Sequence, residues 1–417
     1  MGMVTGLLGH TGQRLLKPSL ILACTLLLSA CGSVPDRHPY LADANTLGSI
    51  GNIDGIRFWG DAAPPDFMDR IKSITPEEAD ADQSGIYGTE HDYLAISGGG
   101  QNGAFAAGLL VGWTNLGTRP EFEIVTGIST GALIAPFVFL GPQYDHVLKE
   151  VYGSYSTKSL IKKRGYLKAL TGDALASSDP LKALLEQYVT VDVVEQLAKQ
   201  HATGRRLFIG TTNLDAKRPV VWNVTAIAAS RDVQARSLII DVLLASASIP
   251  ATLPPVLFEV EIDGQNYDEL HVDGGATSQL FVYPSAIDWK LVTSQLKVKG
   301  TPQVWVIRNS KLNPQFDPVK GSLLSIASSS MSSLIRTQGI GDLYQVYTNA
   351  VRDNLDFNLA YIPPEFEFES AEIFDAQYMR ALFDFAYNKI TNGYEWHRNP
   401  PQLENAPLQG SSDAANN

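Results

Sequence analysis

Gly127-Ile128-Ser129-Thr130-Gly131 follows the apolar stretch Glu123-Ile124-Val125-Thr126 and runs on into Ala132 and Ala135. The spacing G-x-S-x-G predicts a strand that turns sharply into a helix, with a serine hydroxyl at the apex of the turn. Gly127 and Gly131 matter because such a turn crowds the backbone, and the serine itself can occupy strained φ/ψ space. The two alanines let the helix approach the sheet closely. Taken alone, the pentapeptide is equally a glycine-rich turn with a capping serine. Upstream, Gly98-Gly99-Gly100-Gln101-Asn102-Gly103 repeats the arrangement, with Tyr93-Leu94-Ala95-Ile96 before it and a helical stretch from 104 to 116 after it. Its backbone N–H groups can face a negatively charged oxygen. Two strand–glycine–helix units in succession predict an α/β core.

Outward from these units, helices keep alternating with apolar strands. A helix is expected from Pro180, capped by Ser178 or Asp179. Strands at 207–210 and 219–222 flank a turn at Asn213-Leu214-Asp215, and a helix near 233–244 leads into Ala245-Ser246-Ala247-Ser248-Ile249-Pro250. Residues 257–262 alternate in polarity, and Asp263-Gly264 predicts a hairpin returning toward His271. Val304-Trp305-Val306-Ile307 reads as a buried strand; 323–351 and 371–390 read as helices, with a strand at 357–362 between them. Such interleaving predicts a three-layer α/β/α fold with a mainly parallel central sheet. The expected organisation is a signal peptide (1–30), a lipidated tether and irregular wrap (31–90), a catalytic core (91–310), a C-terminal helical extension packed on the core (311–399), and a disordered Pro-, Gln-, Ser- and Asn-rich tail (400–417).

The upstream glycines also satisfy G-x-G-x-x-G between a strand and a helix, the dinucleotide-binding arrangement. That fold needs an acidic residue at the end of the next strand. Here Glu121 and Glu123 stand at its beginning, and its end is Gly127. No Gly-Lys-Ser/Thr follows the glycines, which excludes a phosphate-binding loop.

Nucleophilic serine chemistry needs a base. Of the seven histidines, His10 is in the leader, His38 in the tether, His91 before the first strand, and His146 and His201 in polar helical stretches. Hydrolases of the α/β type run Ser, Asp, His along the chain. His397 alone fits that order after Asp273, in the polar chain end Glu395-Trp396-His397-Arg398, whereas His271 lies two residues before Asp273. Asp273 is the other candidate, because a strand-end carboxylate beside Gly274-Gly275 can reach a serine on a neighbouring strand end. Near its ordinary pKa of about 4 a carboxylate is a weak base. Burial or a short hydrogen bond to Ser129 has to strengthen it. A purely structural Asp-Gly turn is the plain alternative.

The ordered set of the upstream glycines, Gly127–Gly131, Ala245–Pro250 with Pro254-Pro255, and Asp273-Gly274-Gly275 resembles the patatin-like phospholipase family over residues 93–275. The resemblance implies a Ser–Asp dyad without histidine: Ser129 attacks and Asp273 takes its proton. It makes the amides of Gly98, Gly99, Gly100, Gln101, Asn102 and Gly103 the oxyanion hole, and Gly127 and Gly131 the nucleophile elbow. It implies a lipid acyl hydrolase working through an acyl-enzyme, with no metal and no cofactor. The family often carries Asp before its glycines and Arg or Lys two residues after the third; here Ser97 and Asn102 stand there. That substitution removes a cation from the oxyanion or headgroup side of the site. Rival readings are an esterase or thioesterase of small soluble acyl substrates, and a non-catalytic envelope lipoprotein using the fold as a binding scaffold.

Across its 417 residues the chain is 44% hydrophobic and 18% charged, a globular balance. Arg14 and Lys17 precede an apolar run from Leu20 to Leu28, too short to span a bilayer comfortably, which ends Leu28-Ser29-Ala30-Cys31-Gly32. This end resembles a bacterial lipobox, which implies cleavage before Cys31 and acylation of its thiol and new amino group. The other cysteine, Cys24, falls in the discarded segment, so no disulfide is expected. Losing Arg14 and Lys17 leaves 30 basic against 44 acidic residues, a mature charge of −14. So acidic a surface does not seek nucleic acid or anionic headgroups by electrostatics. The expected partners are a phospholipid or other lipid ester and the membrane reached through the lipid anchor. Gly32 after the cysteine, in place of aspartate, favours the outer over the inner membrane of the bacterial envelope.

Overall fold

The computed structural model describes residues 2, 37–40, 43, 45–51, 53, 55–154, 162–163, 174–313, 318–368, 370 and 374–401. Apart from Gly2, the expected signal peptide lies outside the described residues, as do the acylation site at Cys31 and the tail from 402. Among the described residues, nine strands form the central sheet. In chain order they are β1 (Arg57–Trp59), β2 (Asp92–Ile96), β3 (Ile124–Ile128), β4 (Arg206–Asn213), β5 (Arg218–Asn223), β6 (Val256–Ile262), β7 (Gln265–Asp273), β8 (Gln303–Arg308) and β9 (Asp356–Tyr361).

Across the sheet the order is β1-β5-β4-β3-β2-β8-β9, with β7 joined to β4 and β6 to β7. From β4 to β9 every neighbouring pair is parallel; β1, β5, β6 and β7 pair antiparallel. All of β3 and nearly all of β2 are buried, which is why both read as continuous apolar runs. β6 alternates instead, with Phe258, Val260 and Ile262 inside and Leu257, Glu259 and Glu261 outside. Its turn is Asp263-Gly264, both at positive φ (52° and 75°), as the hairpin reading expects.

Helices cover both faces. They are α1 (Gly103–Asn115), α2 (Thr130–Leu140), α3 (Asp145–Ser154), α4 (Asp179–Tyr188), α5 (Val191–Ala202), α6 (Ala235–Ser246), α7 (Leu323–Arg352) and α8 (Ala376–Thr391), besides shorter ones. Side chains of α1, α2, α6 and α8 pack with Leu94, Val125 and Leu207 on one face. Leu343, Val346 and Ala350 of α7 pack with Tyr93, Ile124 and Val304 on the other. α1 carries no charged residue and is buried from Gly103 through Trp113. Side chains at Gly108 and Gly112 would collide with Phe383 and Ile390 of α8, so glycine sets the closeness of that helix pair.

Two stretches depart from expectation. The wrap before residue 90 is not wholly irregular: it supplies β1 and short helices at Phe67–Ser73 and Pro76–Asp82. The second of these opens with a capping box, Glu78 N on Thr75 Oγ1 and Thr75 N on Glu78 Oε2, with Pro76 at the first position. The segment after 310 does more than pack on the core, because β9 extends the parallel sheet beside β8.

Candidate active site

Strand pairing alone brings Ser129 and Asp273 together. β5 takes one edge of β4 along Phe208 to Asn213. The other edge is shared: β3 pairs with it up to Ile128 opposite Gly210, and β7 pairs with it from Asp273 opposite Thr211. The ends of β3 and β7 therefore meet head-on beside β4. Ser129 sits at φ 53° and ψ −122°, a strained conformation for any residue with a side chain. A side chain at Gly131 would strike the Ile96 carbonyl, and one at Gly127 would come within 2.6 Å of the Gly131 carbonyl oxygen. Glycine at both places is therefore a steric requirement of the turn. The Ser129 amide donates to Ser246 Oγ at 3.0 Å, and that hydroxyl donates to the Gly210 carbonyl at 2.6 Å. Ser246 thus holds the strained serine to β4.

Ser129 Oγ donates to Asp273 Oδ2 at 2.6 Å. The other carboxylate oxygen, Oδ1, accepts the Gly275 amide at 2.7 Å, and the Asp273 amide donates to the Ser248 carbonyl at 3.0 Å. Both side chains are buried. Burial pushes the Asp273 carboxyl up from 3.8 to about 6, against the opposing pull of its bonds from Ser129 and Gly275. A carboxyl with a raised pKa is a stronger base than a solvated one. The histidines are elsewhere. His271 is fully buried with Nδ1 on Thr211 Oγ1 at 2.8 Å and Nε2 on Glu269 Oε2 at 3.0 Å, and burial lowers its pKa despite Glu269. His397 pairs by its backbone with Leu359 of β9. Four strand spacings, about 19 Å, separate that position from β3.

The glycine loop is narrower in capacity than its sequence. Gly98 N donates to the Gln279 carbonyl at 3.2 Å and Asn102 N to the Gly99 carbonyl at 3.1 Å. Gly103 N is taken by the carbonyls of Gln101 and Gly100. Three of the six expected oxyanion donors are therefore spent inside the fold. The amides of Gly99, Gly100 and Gln101 have no acceptor among the described residues. Gly100 lies at φ 56°, and a side chain at Gly99 would collide with Asn309, so both glycines are required. The loop runs close to the serine: a Cβ built on Gly98 lies 3.3 Å from Ser129 Cβ. Asn102, in the place of the family's cation, accepts from Tyr378 Oη at 2.7 Å, and Gln101 Oε1 accepts the Asp375 amide at 3.0 Å. Both side chains tie the loop to the start of α8.

Gln279 was missed in the sequence. Besides receiving Gly98 N, its Nε2 donates to the Gly275 carbonyl at 2.9 Å and its amide to Asp342 Oδ2 at 2.6 Å. It joins the glycine loop, the turn after Asp273 and α7, and no local pattern announces that.

Ser129 and Gly100 stand in the wall of a pocket that opens to solvent. The rest of that wall is nearly all apolar, with Leu133 and Phe137 from α2, Val147, Leu148 and Val151 from α3, and Leu181 and Leu185 from α4. Burying a hydrocarbon chain there is favourable by about 0.8 kcal/mol per methylene.

Comparison with known proteins places the chain. VipD from Legionella pneumophila is 10% identical, with 73% of this chain and 67% of that one covered and a TM-score of 0.37. A human GIVD cytosolic phospholipase A2 is 10% identical, with 82% and 65% covered and a TM-score of 0.32. The chain thus spans about two thirds of the length of these structures. No curated protein matches. Residues 94–284 match the family model described as patatin-like phospholipase, and this stretch contains the glycine loop, Ser129, Ser246, Asp273 and Gln279. With the sheet order and the two glycine turns already described, residues 94–284 form a patatin-like phospholipase domain, a domain of the lipid-hydrolase class.

Proposed function

We propose that the protein cleaves carboxylic esters of membrane lipids, as a phospholipase A or lysophospholipase, through a Ser129–Asp273 dyad. The observation that carries this reading is the placement of Ser129 Oγ, bonded to Asp273 at 2.6 Å, in the wall of a pocket lined almost entirely by apolar side chains. Ser129 Oγ attacks the ester carbonyl carbon while its proton passes to Asp273 Oδ2. The developing oxyanion takes hydrogen bonds from the free amides of Gly99, Gly100 and Gln101, each worth roughly 3 kcal/mol of transition-state stabilisation. The C–O bond breaks, and the proton on Asp273 goes to the departing alkoxide, which leaves as the alcohol. Water then attacks the acyl-enzyme, giving its proton to Asp273; the acyl–Oγ bond breaks, Ser129 Oγ takes the proton back from Asp273, and the fatty acid is released. An acyl anchor on Cys31 would hold the enzyme on the bacterial outer membrane and raise its effective concentration at phospholipid.

A fluorophosphonate probe should label the wild-type chain and not Ser129→Ala, and the wild type should release fatty acid from phospholipid vesicles. Labelling with hydrolysis of short-chain esters alone would move the assignment to a soluble-ester esterase. No labelling would return the protein to a binding scaffold.

A further inference from the structure

Five of the thirteen large apolar side chains exposed among the described residues, Val319, Leu323, Ile326, Met331 and Leu334 being the five, fall at the start of α7 or just before it. Leu323 is 87% exposed and Leu334 66%, values that a solvated helix in a monomer does not need. With about 100° per residue, Leu323, Ile326, Met331 and Leu334 fall within an arc of roughly 140°, and Ser325, Ser329 and Ser332 fall on the opposite side. α7 runs for 30 residues, and its second half is seated in the core through Leu343, Val346 and Ala350.

Between the two halves α7 grips the catalytic machinery. Gln338 donates to the Thr277 carbonyl, and Asp342 Oδ2 accepts the Gln279 amide at 2.6 Å, within a few residues of Asp273. On the other side of the site Phe368, 42% exposed, packs 5.9 Å from the Tyr378 ring that holds Asn102 of the glycine loop. Charge is distributed in the same sense. From Pro318 to Gly341 the sequence holds Lys320 and Arg336 and no acidic residue, in a chain of net charge −12. The acidic remainder is repelled by an anionic membrane, and this stretch is not. No helix among the described residues is long and apolar enough to cross a membrane, so contact by this helix is interfacial.

We propose that the first half of α7 is a membrane-docking helix, which lies in the lipid surface on its Leu323, Ile326, Met331 and Leu334 face and holds the Asp273 end of the active site against that surface. The choice of a lipid surface as the occupant rests on the lipid-ester reading above. The contact is separate from the expected acyl anchor at Cys31, and it fixes an orientation at the surface as well as attachment.

Hydrogen exchange of the full Ser129→Ala chain, with and without vesicles of phosphatidylglycerol and phosphatidylcholine, reads this helix locally whatever the N-terminus does. Amides of 323–337 should exchange about tenfold more slowly with vesicles, those of 343–352 unchanged. No slowing overturns the proposal. Slowing that instead follows protein concentration without vesicles assigns the face to a second copy of the chain, which also overturns it. The variant Leu323→Gln/Ile326→Gln/Met331→Gln/Leu334→Gln keeps good helix formers at exposed positions. It should hydrolyse a soluble short-chain ester at the wild-type rate and vesicle phospholipid about tenfold more slowly; an unchanged vesicle rate overturns the proposal. If the wild type hydrolyses neither substrate, the hydrolase reading fails, and the exchange result still decides the helix.

Discussion

An Asp273→Asn substitution tests the proposed dyad through stability as well as through rate. Burial moves the Asp273 carboxyl from 3.8 to about 6 in the fold. Since the folded value is the raised one, the carboxyl contributes its stability below pH 3.8 and loses that contribution as pH rises through about 6. Ionised at pH 8, it costs the fold about 3 kcal/mol relative to a neutral group of the same shape. Asparagine is that group: its carbonyl oxygen can keep the Gly275 amide, and its NH2 can donate to Ser129 Oγ. The assay is urea unfolding of both full chains at pH 4, 6 and 8. The stability of the variant minus that of the wild type should be near zero at pH 4 and grow to about 2–3 kcal/mol at pH 8. Glu123 and Asp342, also buried and raised to about 7 and about 6, titrate equally in both chains and cancel in the difference. Turnover should fall by at least roughly 100-fold in the variant. In the wild type, kcat/KM should fall about tenfold per pH unit below 6, where the base is protonated. A stability difference that stays flat with pH, or a variant less stable at pH 8, would refute the account of Asp273 as a desolvated base.

Ser246→Ala removes the acceptor of the buried Ser129 amide; it should lower stability by about 1–3 kcal/mol and reduce turnover of short-chain esters, read by melting and initial rates. Leu133→Trp places an indole in the apolar cavity from a half-buried position; it should shorten the acyl chain accepted, with long-chain esters losing kcat/KM and short ones keeping it. His397→Ala should leave turnover at the wild-type level, because that residue is tied to β9 at the far side of the sheet; loss of turnover would require a different base.

How far the site could be read in the sequence follows from the range of each interaction. The turn around Ser129 was legible because its steric conflicts are local: Gly127 and Gly131 fail as other residues within four positions of the serine or against the adjacent strand. The Asp263-Gly264 hairpin was legible for the same reason. Asp273 was only one of several candidate bases in the sequence, since nothing local says that β7 ends on the edge of β4 that β3 vacates at Ile128. That head-on meeting depends on β4 being longer than β3, and strand length is visible only once the sheet is assembled. Ser246 and Gln279 act on Ser129 and Gly98 from more than 100 positions away; Ser246 stood in the Ala245–Pro250 stretch of the resemblance with no local sign of its hydrogen bond, and a glutamine in an irregular segment carries no signature of such a role. The capping box at Thr75 and Glu78 was readable and was masked by the Pro- and Asp-rich composition around it. The oxyanion loop failed in the opposite direction. Six consecutive residues looked alike as donors, yet an amide can stabilise an oxyanion only if the fold has not already given it a carbonyl. Gly98, Asn102 and Gly103 have been given theirs. A glycine motif therefore states where the backbone comes close, and the hydrogen bonds contributed by Gln279 and the turn itself decide which of its amides are left for chemistry.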